Sequence, residues 1–258
     1  MTDGERLLDL LWQRYADDVP YARVFVGLAG SLVTDHVAFR TLRRPGGGIA
    51  AIAPVFERLG WRAAGQYEFP DQHLTAIHLS HPSGLPRVFL SELDPEPLAP
   101  AARRILDRLP PDQPAPRHVE QLALWFEQPF GTSSFDDSGA ALLLAEEDLL
   151  TLEESSQYAA WLAAFGRKVN HFTAAVLDVE TWHARLAAAG VPMKPTIEGA
   201  RGSLLRQAAT RAFPLGVLVR GAKVRAWPYA YFELAERKPG FDGFLAPQAR
   251  ELFEMTRR

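Results

Sequence analysis

The sequence predicts an α+β fold in which two βαβββ modules form a half-open barrel, with an added N-terminal helix and a helical insertion between the modules. Three observations predict it. The order strand, helix, strand, strand, strand occurs twice, within residues 31–93 and again within 168–258. Each copy opens on an acid or amide followed by His, in TDHVAFRTL and VNHFTAAVL, and closes on an apolar run with Glu and Leu, in VFLSEL and AYFELAER. His36 and His171 stand 135 residues apart, and Glu92 and Glu233 stand 141 apart, so both pairs fall at like places in two copies.

Residues 3–30 read as helical, because Leu7, Leu8, Leu11, Trp12 and Tyr15 recur at a spacing of three to four, with Pro20 interrupting the run. Residues 33–42 are β-branched and aromatic-rich, which predicts a strand. Pro45 and Gly46–Gly48 mark a turn before a helix through Ile49, Ile52, Val55, Phe56 and Leu59, closed by Gly60. Strands follow at 62–69, 74–81 and 87–93. Residues 94–167 form a connector, proline-rich at first and then helical near 98–109, 117–127 and 144–165. The second module begins with a strand at 169–177. Asp178 is placed to cap a helix through Trp182, Leu186 and Ala189, ended by Gly190. Strands are expected near 193–198, 203–211, 215–220 and 225–236. All of this is read as a single metal-site domain.

Composition narrows the function. The 258 residues hold 28 basic and 31 acidic side chains, a net charge of −3 with no basic stripe, which argues against a nucleic-acid partner. No run of 18 apolar residues is present, so no spanning helix and no membrane partner are expected. The N-terminus lacks the uncharged core of a signal peptide, and a cytoplasmic location is the expectation. There is no Cys, which excludes disulfides, thiolate zinc sites, iron–sulfur clusters and thiol nucleophiles. Any metal must be held by His, Asp or Glu. The glycines at 46–48 lack GxGxxG spacing, and there is no P-loop or GxSxG elbow.

Alternation along a strand puts His36, Ala38 and Arg40 on one face, His171 with Thr173 and Ala175 on another, and Tyr231, Glu233 and Ala235 on a third. Paired sheets bring His36, His171 and Glu233 together. Two His and one carboxylate on one side of an ion form the facial triad of non-haem Fe(II) oxygenases. Taken singly, each has a plainer explanation: a strand His is often a satisfied core residue, and Glu233 followed by Arg237 is often a paired or solvated face. The placement of both His in two like modules favours the metal site. His78, in mid-strand, is the competing ligand or outer-sphere group. Glu92 is a fourth corner that could ligate, hold a water or pair with a base. Arg40 offers a planar fork to a carboxylate, or else a structural ion pair. Of Arg206 and Gln207, alternation allows only one to face the cavity.

At these residues the chain resembles the DUF1338 family, whose characterised members are 2-oxoadipate dioxygenase/decarboxylases. The resemblance runs from about residue 30 to the end, through TDHVAFRTL, VFLSEL, VNHFTAAVLDVE, SLLRQAATRAF, YFELAER and GFDGFLAPQARELFEMT. It implies a fold similar to the vicinal oxygen chelate superfamily and an Fe(II) held by His36, His171 and Glu233. It implies a substrate carboxylate bound by Arg40; the strand pattern itself adds Arg206, Gln207 and Tyr231 as further candidate substrate contacts. The expected reaction takes a small 2-oxo acid and O₂, turning 2-oxoadipate into 2-hydroxyglutarate and CO₂. The chain resembles a short form, lacking sequence that the long bacterial enzymes carry, so the metal site transfers more directly than the substrate. Two rivals stay open: a non-redox metal-dependent lyase or isomerase on the same scaffold, and a metal-free binding module. The sequence leaves the oligomeric state unknown.

Overall fold

A seven-stranded sheet carries the site, and its centre is the seam between the modules. The computed structural model describes residues 1–128, 134–135, 141–142, 144–220, 223–248 and 256. Helices α1 (Asp3–Asp18) and α2 (Pro20–Ala29) lead into strand β1 (Thr34–Leu42) and helix α3 (Ile49–Arg58). Strands β2 (Arg62–Phe69), β3 (Leu74–Ser80) and β4 (Arg87–Leu93) complete the first module. The connector holds α4 (Pro100–Leu106), α5 (Val119–Phe126), a short strand pair β5 (Ser134–Phe135) and β6 (Ala141–Leu142), then α6 (Glu146–Ser155) and α7 (Gln157–Phe165). The second module has β7 (Val169–Ala175), α8 (Val179–Ala188), β8 (Leu205–Ala209), β9 (Phe213–Val219), β10 (Lys223–Ala230) and β11 (Glu233–Arg237). Residues 249–255 of the C-terminal motif lie outside the described residues.

The strand order is β2-β3-β4-β1-β7-β11-β8. β1 and β7 run antiparallel at the centre, and each is flanked by its own module's closing strand in parallel, β4 or β11. Across the seam His36 faces Thr173 and Ala38 faces His171. Adding 135 to the β1 numbers turns the first pairing into the second, so the repeat is a local two-fold axis between β1 and β7. The same axis corrects one expectation. Glu233 faces Thr173, and the matching pair in the first module is Phe89 facing Ala38. Phe89, not Glu92, is the counterpart of Glu233. Glu92 instead accepts a hydrogen bond from Ile49 N at 2.8 Å, at the start of α3, and pairs with Arg43 at 3.1 Å.

Three elements differ from the sequence reading. The helical stretch 144–165 breaks at Ser156, whose hydroxyl caps α7 by accepting from Ala159 N. All nine residues of α7 are buried, and the helix packs against β1 and β10. The strand expected near 193–198 is reduced to two isolated bridges, Met193 to Thr210 and Glu198 to Gln207. Pro192 and Pro195, which have no N–H to donate, limit pairing there. The strand expected at 225–236 is two strands in two sheets: β10 pairs with β9 as a separate hairpin, and β11 returns to the main sheet.

Alternation sorts the central residues. Phe39 turns outward against Phe56 and Phe126, and Phe172 turns outward against Trp12 and Tyr15, with ring centroids 4.8–5.6 Å apart. Burying aromatic rings of this size stabilises each contact by about 2–3 kcal/mol per side chain. The opposite face is left for polar residues.

Candidate metal centre

On that inner face His36, His171 and Glu233 converge. The Nε2 atoms of His36 and His171 are 3.3 Å apart, His36 Nε2 is 3.5 Å from Glu233 Oε1, and His171 Nε2 is 3.8 Å from Glu233 Oε2. Donor atoms held about 2.1 Å from one ion lie about 3.0–3.5 Å from each other, so the group is spaced for a metal. All three are buried, Glu233 completely. Glu233 Oε1 accepts from Gln207 Nε2 at 2.6 Å and from the Thr173 hydroxyl at 3.1 Å, while Oε2 has no hydrogen-bond partner. A buried carboxylate oxygen left unpartnered beside two imidazole nitrogens is costly without a cation. Among the described residues this is the group of three that could hold a metal ion.

The residue before each His lies against its Nδ1, and Asp35, a carboxylate that can only accept, fixes the tautomer of His36. Asp35 Oδ1 lies 2.8 Å from His36 Nδ1, and Asn170 Oδ1 lies 3.1 Å from His171 Nδ1. In a regular strand the preceding side chain points to the other face. Here a bulge intervenes in both strands. The register skips Asp35 between Thr34 and His36, and skips Asn170 between the Phe39–Val169 and Ala38–His171 pairs. Bulges re-aim side chains in this way. With Nδ1–H donated to the neighbour, each Nε2 keeps its lone pair for a metal.

Burial disfavours charge on both the His171 imidazole and the Glu233 carboxyl. Burial, with His36 and Arg40 adding to it, holds the His171 imidazole well below its usual pKa. Burial raises the Glu233 carboxyl, against His36, Gln207 and Thr173, which lower it. Burial would also raise Asp35, but hydrogen bonds from His36 and Arg237 hold it well below the usual carboxylate range.

The other predicted residues separate. Arg40 is buried in the same cavity, its guanidinium over the rings of Tyr158 and Trp161 at 4.8 and 5.2 Å, with Nη1 donating to Thr256 Oγ1 at 2.8 Å. Gln207 faces the site. Arg206 is turned away, bonded to Glu180 at 2.7 Å and Glu236 at 3.3 Å, because neighbouring strand residues alternate. Tyr231 precedes β11 and stacks on the His171 ring at 4.6 Å. His78 is buried outside the ligand group, with Nδ1 2.9 Å from the Tyr67 hydroxyl, and burial lowers its pKa to about 4. Gly65 leaves room for its ring: a Cβ there would lie 2.7 Å from His78 Cε1.

Sequence reasoning missed Thr173, Asp35, Asn170 and Phe244 as parts of the site. The acid-or-amide before each His was the visible signal for two of them. Phe244 carried no periodic signal, only its place in the C-terminal motif; its ring packs 4.8 Å from His36 and 4.9 Å from Phe89 and lines the cavity. That cavity measures about 20 Å³, room for a water. A larger one of about 460 Å³ lies apart from the ligands, beside Glu68, Asp71 and Pro247.

Comparison with known proteins places the chain in a family. A family model described as 2-oxoadipate dioxygenase/decarboxylase matches residues 13–124 and 132–256. A rice (Oryza sativa) protein named 2-oxoadipate dioxygenase/decarboxylase, chloroplastic/amyloplastic, is 25% identical over 268 residues, covering 86% of this chain and 68% of its own. Among solved structures, hydroxyglutarate synthase from Oryza sativa in complex with 2-oxoadipate superposes with a TM-score of 0.81 at 21% identity, over 98% of this chain and 91% of that one. A Ralstonia eutropha protein named for the glyoxalase superfamily superposes at 0.79 with 24% identity, over 95% and 86%. The structural likenesses establish the vicinal-oxygen-chelate-like fold. With the family model spanning both modules and the strands that carry His36, His171 and Glu233, the chain belongs to the 2-oxoadipate dioxygenase/decarboxylase family.

Proposed function

We propose that this enzyme uses Fe(II) and O₂ to decarboxylate and hydroxylate a 2-oxo dicarboxylic acid, taking 2-oxoadipate to 2-hydroxyglutarate and CO₂. The observation that carries the reading is the buried His36–His171–Glu233 group, whose two imidazoles line the cavity that also holds Arg40. His36, His171 and Glu233 would hold the iron, which when bound supplies a template for the 2-oxo acid and activates oxygen.

The chain's own residues do the rest. Asp35 and Asn170 keep both imidazoles in the Nε2-donor tautomer. Thr173 and Gln207 hold Glu233 by one oxygen and leave the other free to ligate. Arg40 takes a substrate carboxylate and so sets position and rate together. Phe244 and Phe89 exclude water from the reacting carbon. The balance is internal: C1 leaves as CO₂, one oxygen atom enters the new carboxylate at C2, and the other becomes the hydroxyl at C3. No external reductant is required.

Glu92 as a fourth ligand or base would favour the non-redox reading, and it is engaged by Ile49 N and Arg43. An oxygen electrode with a panel of 2-oxo acids tests the proposal. O₂ consumed, CO₂ released and hydroxy acid formed should match one to one to one. Turnover at the same rate without oxygen, or with zinc as the sole metal, would sink it.

A further inference from the structure

Asp35 and Asn170 occupy equivalent bulges and hold equivalent histidines, yet one is an acid and the other an amide. The surroundings explain the difference. Asp35 faces away from the cavity, into Arg237 at 2.9 Å and Arg87 at 3.4 Å, where only an acceptor is useful. Asn170 lines the cavity together with Arg40. Its amide orientation follows from chemistry: a His171 that ligates through Nε2 carries its proton on Nδ1, so Asn170 must present Oδ1 to it. That leaves Nδ2 as a donor. Asn170 is 3% exposed, and Nδ2 has no hydrogen-bond partner among the described residues. A buried amide N–H left unmade costs about 1–3 kcal/mol unless something pairs with it.

The position selects the partner. Nδ1 is the ring nitrogen remote from the ligand group, so the amide lies beyond the imidazole, away from the metal end. Along the seam the order is His171 opposite Ala38, then the Asn170 bulge, then Phe39, with Arg40 next on β1. Asn170 and Arg40 therefore sit at the same end of the cavity.

We propose that Asn170 Nδ2 joins Arg40 in binding the distal carboxylate of a dicarboxylic 2-oxo acid, so that Asn170 both holds His171 and selects the substrate's far end. This rests on the substrate reading above. Two ligands separate the roles. 2-Oxoadipate has the distal carboxylate; 2-oxohexanoate has the same chelating end and lacks it. Protein loaded with Co(II) under anaerobic conditions is titrated with each, following the visible bands. Asn170→Asp, which keeps an acceptor for His171 and places a carboxylate in the donor's position, should weaken 2-oxoadipate binding about 10- to 100-fold and weaken 2-oxohexanoate binding far less. Asn170→Ser, which also removes the acceptor on His171, should weaken both ligands but 2-oxoadipate the more, and retains a measurement should the Asp variant fold poorly. Equal loss of both ligands would make Asn170 a structural residue, and no loss of either would remove it from the site; each overturns the inference alone. A wild-type Co(II) protein that binds neither acid overturns the substrate reading, and this inference with it.

Discussion

Arg237 of the second module closes on Asp35 of the first with two hydrogen bonds, Nη2 to Oδ1 and Nε to Oδ2, both 2.9 Å. Asp35 in turn holds His36. The pair thus ties the strand that carries Glu233 to the strand that carries His36, across the module seam.

Breaking that tie should cost both stability and metal. Arg237→Met leaves a buried carboxylate short of its main cation, at an expected cost of about 3–5 kcal/mol. Asp35→Asn should lower metal affinity about 10- to 100-fold, read by chelator competition. Unchanged affinity in Asp35→Asn would show that the carboxylate does not tune His36.

Loss of any ligand should empty the site. His36→Ala, His171→Ala and Glu233→Gln are each expected to lose most of the bound metal, measured by elemental analysis after anaerobic purification. Normal metal content in His36→Ala would move the assignment to another residue, with His78 next to be tried.

Arg40 should act on substrate and not on metal. Arg40→Ala should lose roughly 10²-fold or more in kcat/KM, the scale of a buried charged hydrogen bond. Arg40→Lys should recover little, because an ammonium cannot reproduce the planar fork or its stacking on Tyr158 and Trp161. Metal content should stay near that of wild type.

Phe244 should protect the reaction from water. Phe244→Ala removes a ring packed on His36, His78 and Phe89. It should cost about 3–5 kcal/mol and raise the ratio of O₂ consumed to hydroxy acid formed. A ratio held at one would assign the water-excluding role elsewhere.

Acid should destabilise the metal-free protein through its buried imidazoles. His78 has a folded pKa of about 4, below its unfolded value, and His171 is shifted in the same direction. The folded state binds fewer protons than the unfolded chain, so their contribution is complete above about pH 6.5 and is lost as pH falls toward 4. His78→Gln should flatten that part of a Tm-against-pH curve. An unchanged slope would place the acid sensitivity in other groups.

The three candidate ligands were legible in the sequence because strand alternation is a local rule and the repeat doubles it. His36 and His171 stand at one offset in two like motifs, and Glu233 lies on an apolar closing strand where a carboxylate needs a reason. The offset also serves as the symmetry operation of the β1–β7 seam. What the sequence could not determine were features set by pairing between distant strands. Alternation alone sends Asp35 and Asn170 to the wrong face, and only the bulges in the β1–β7 register bring them to the imidazoles. Choosing Gln207 over Arg206 required the β8–β11 pairing. Matching Glu233 with Phe89, and not with Glu92, required the parallel registers of β4 and β11. Phe244 reaches the cavity from beyond the last strand, where no periodicity operates. Local chemistry thus determined which residues could bind a metal, while tertiary pairing decided which of their neighbours hold, shield and select, because register and bulges are settled by the partner strand rather than by the strand itself.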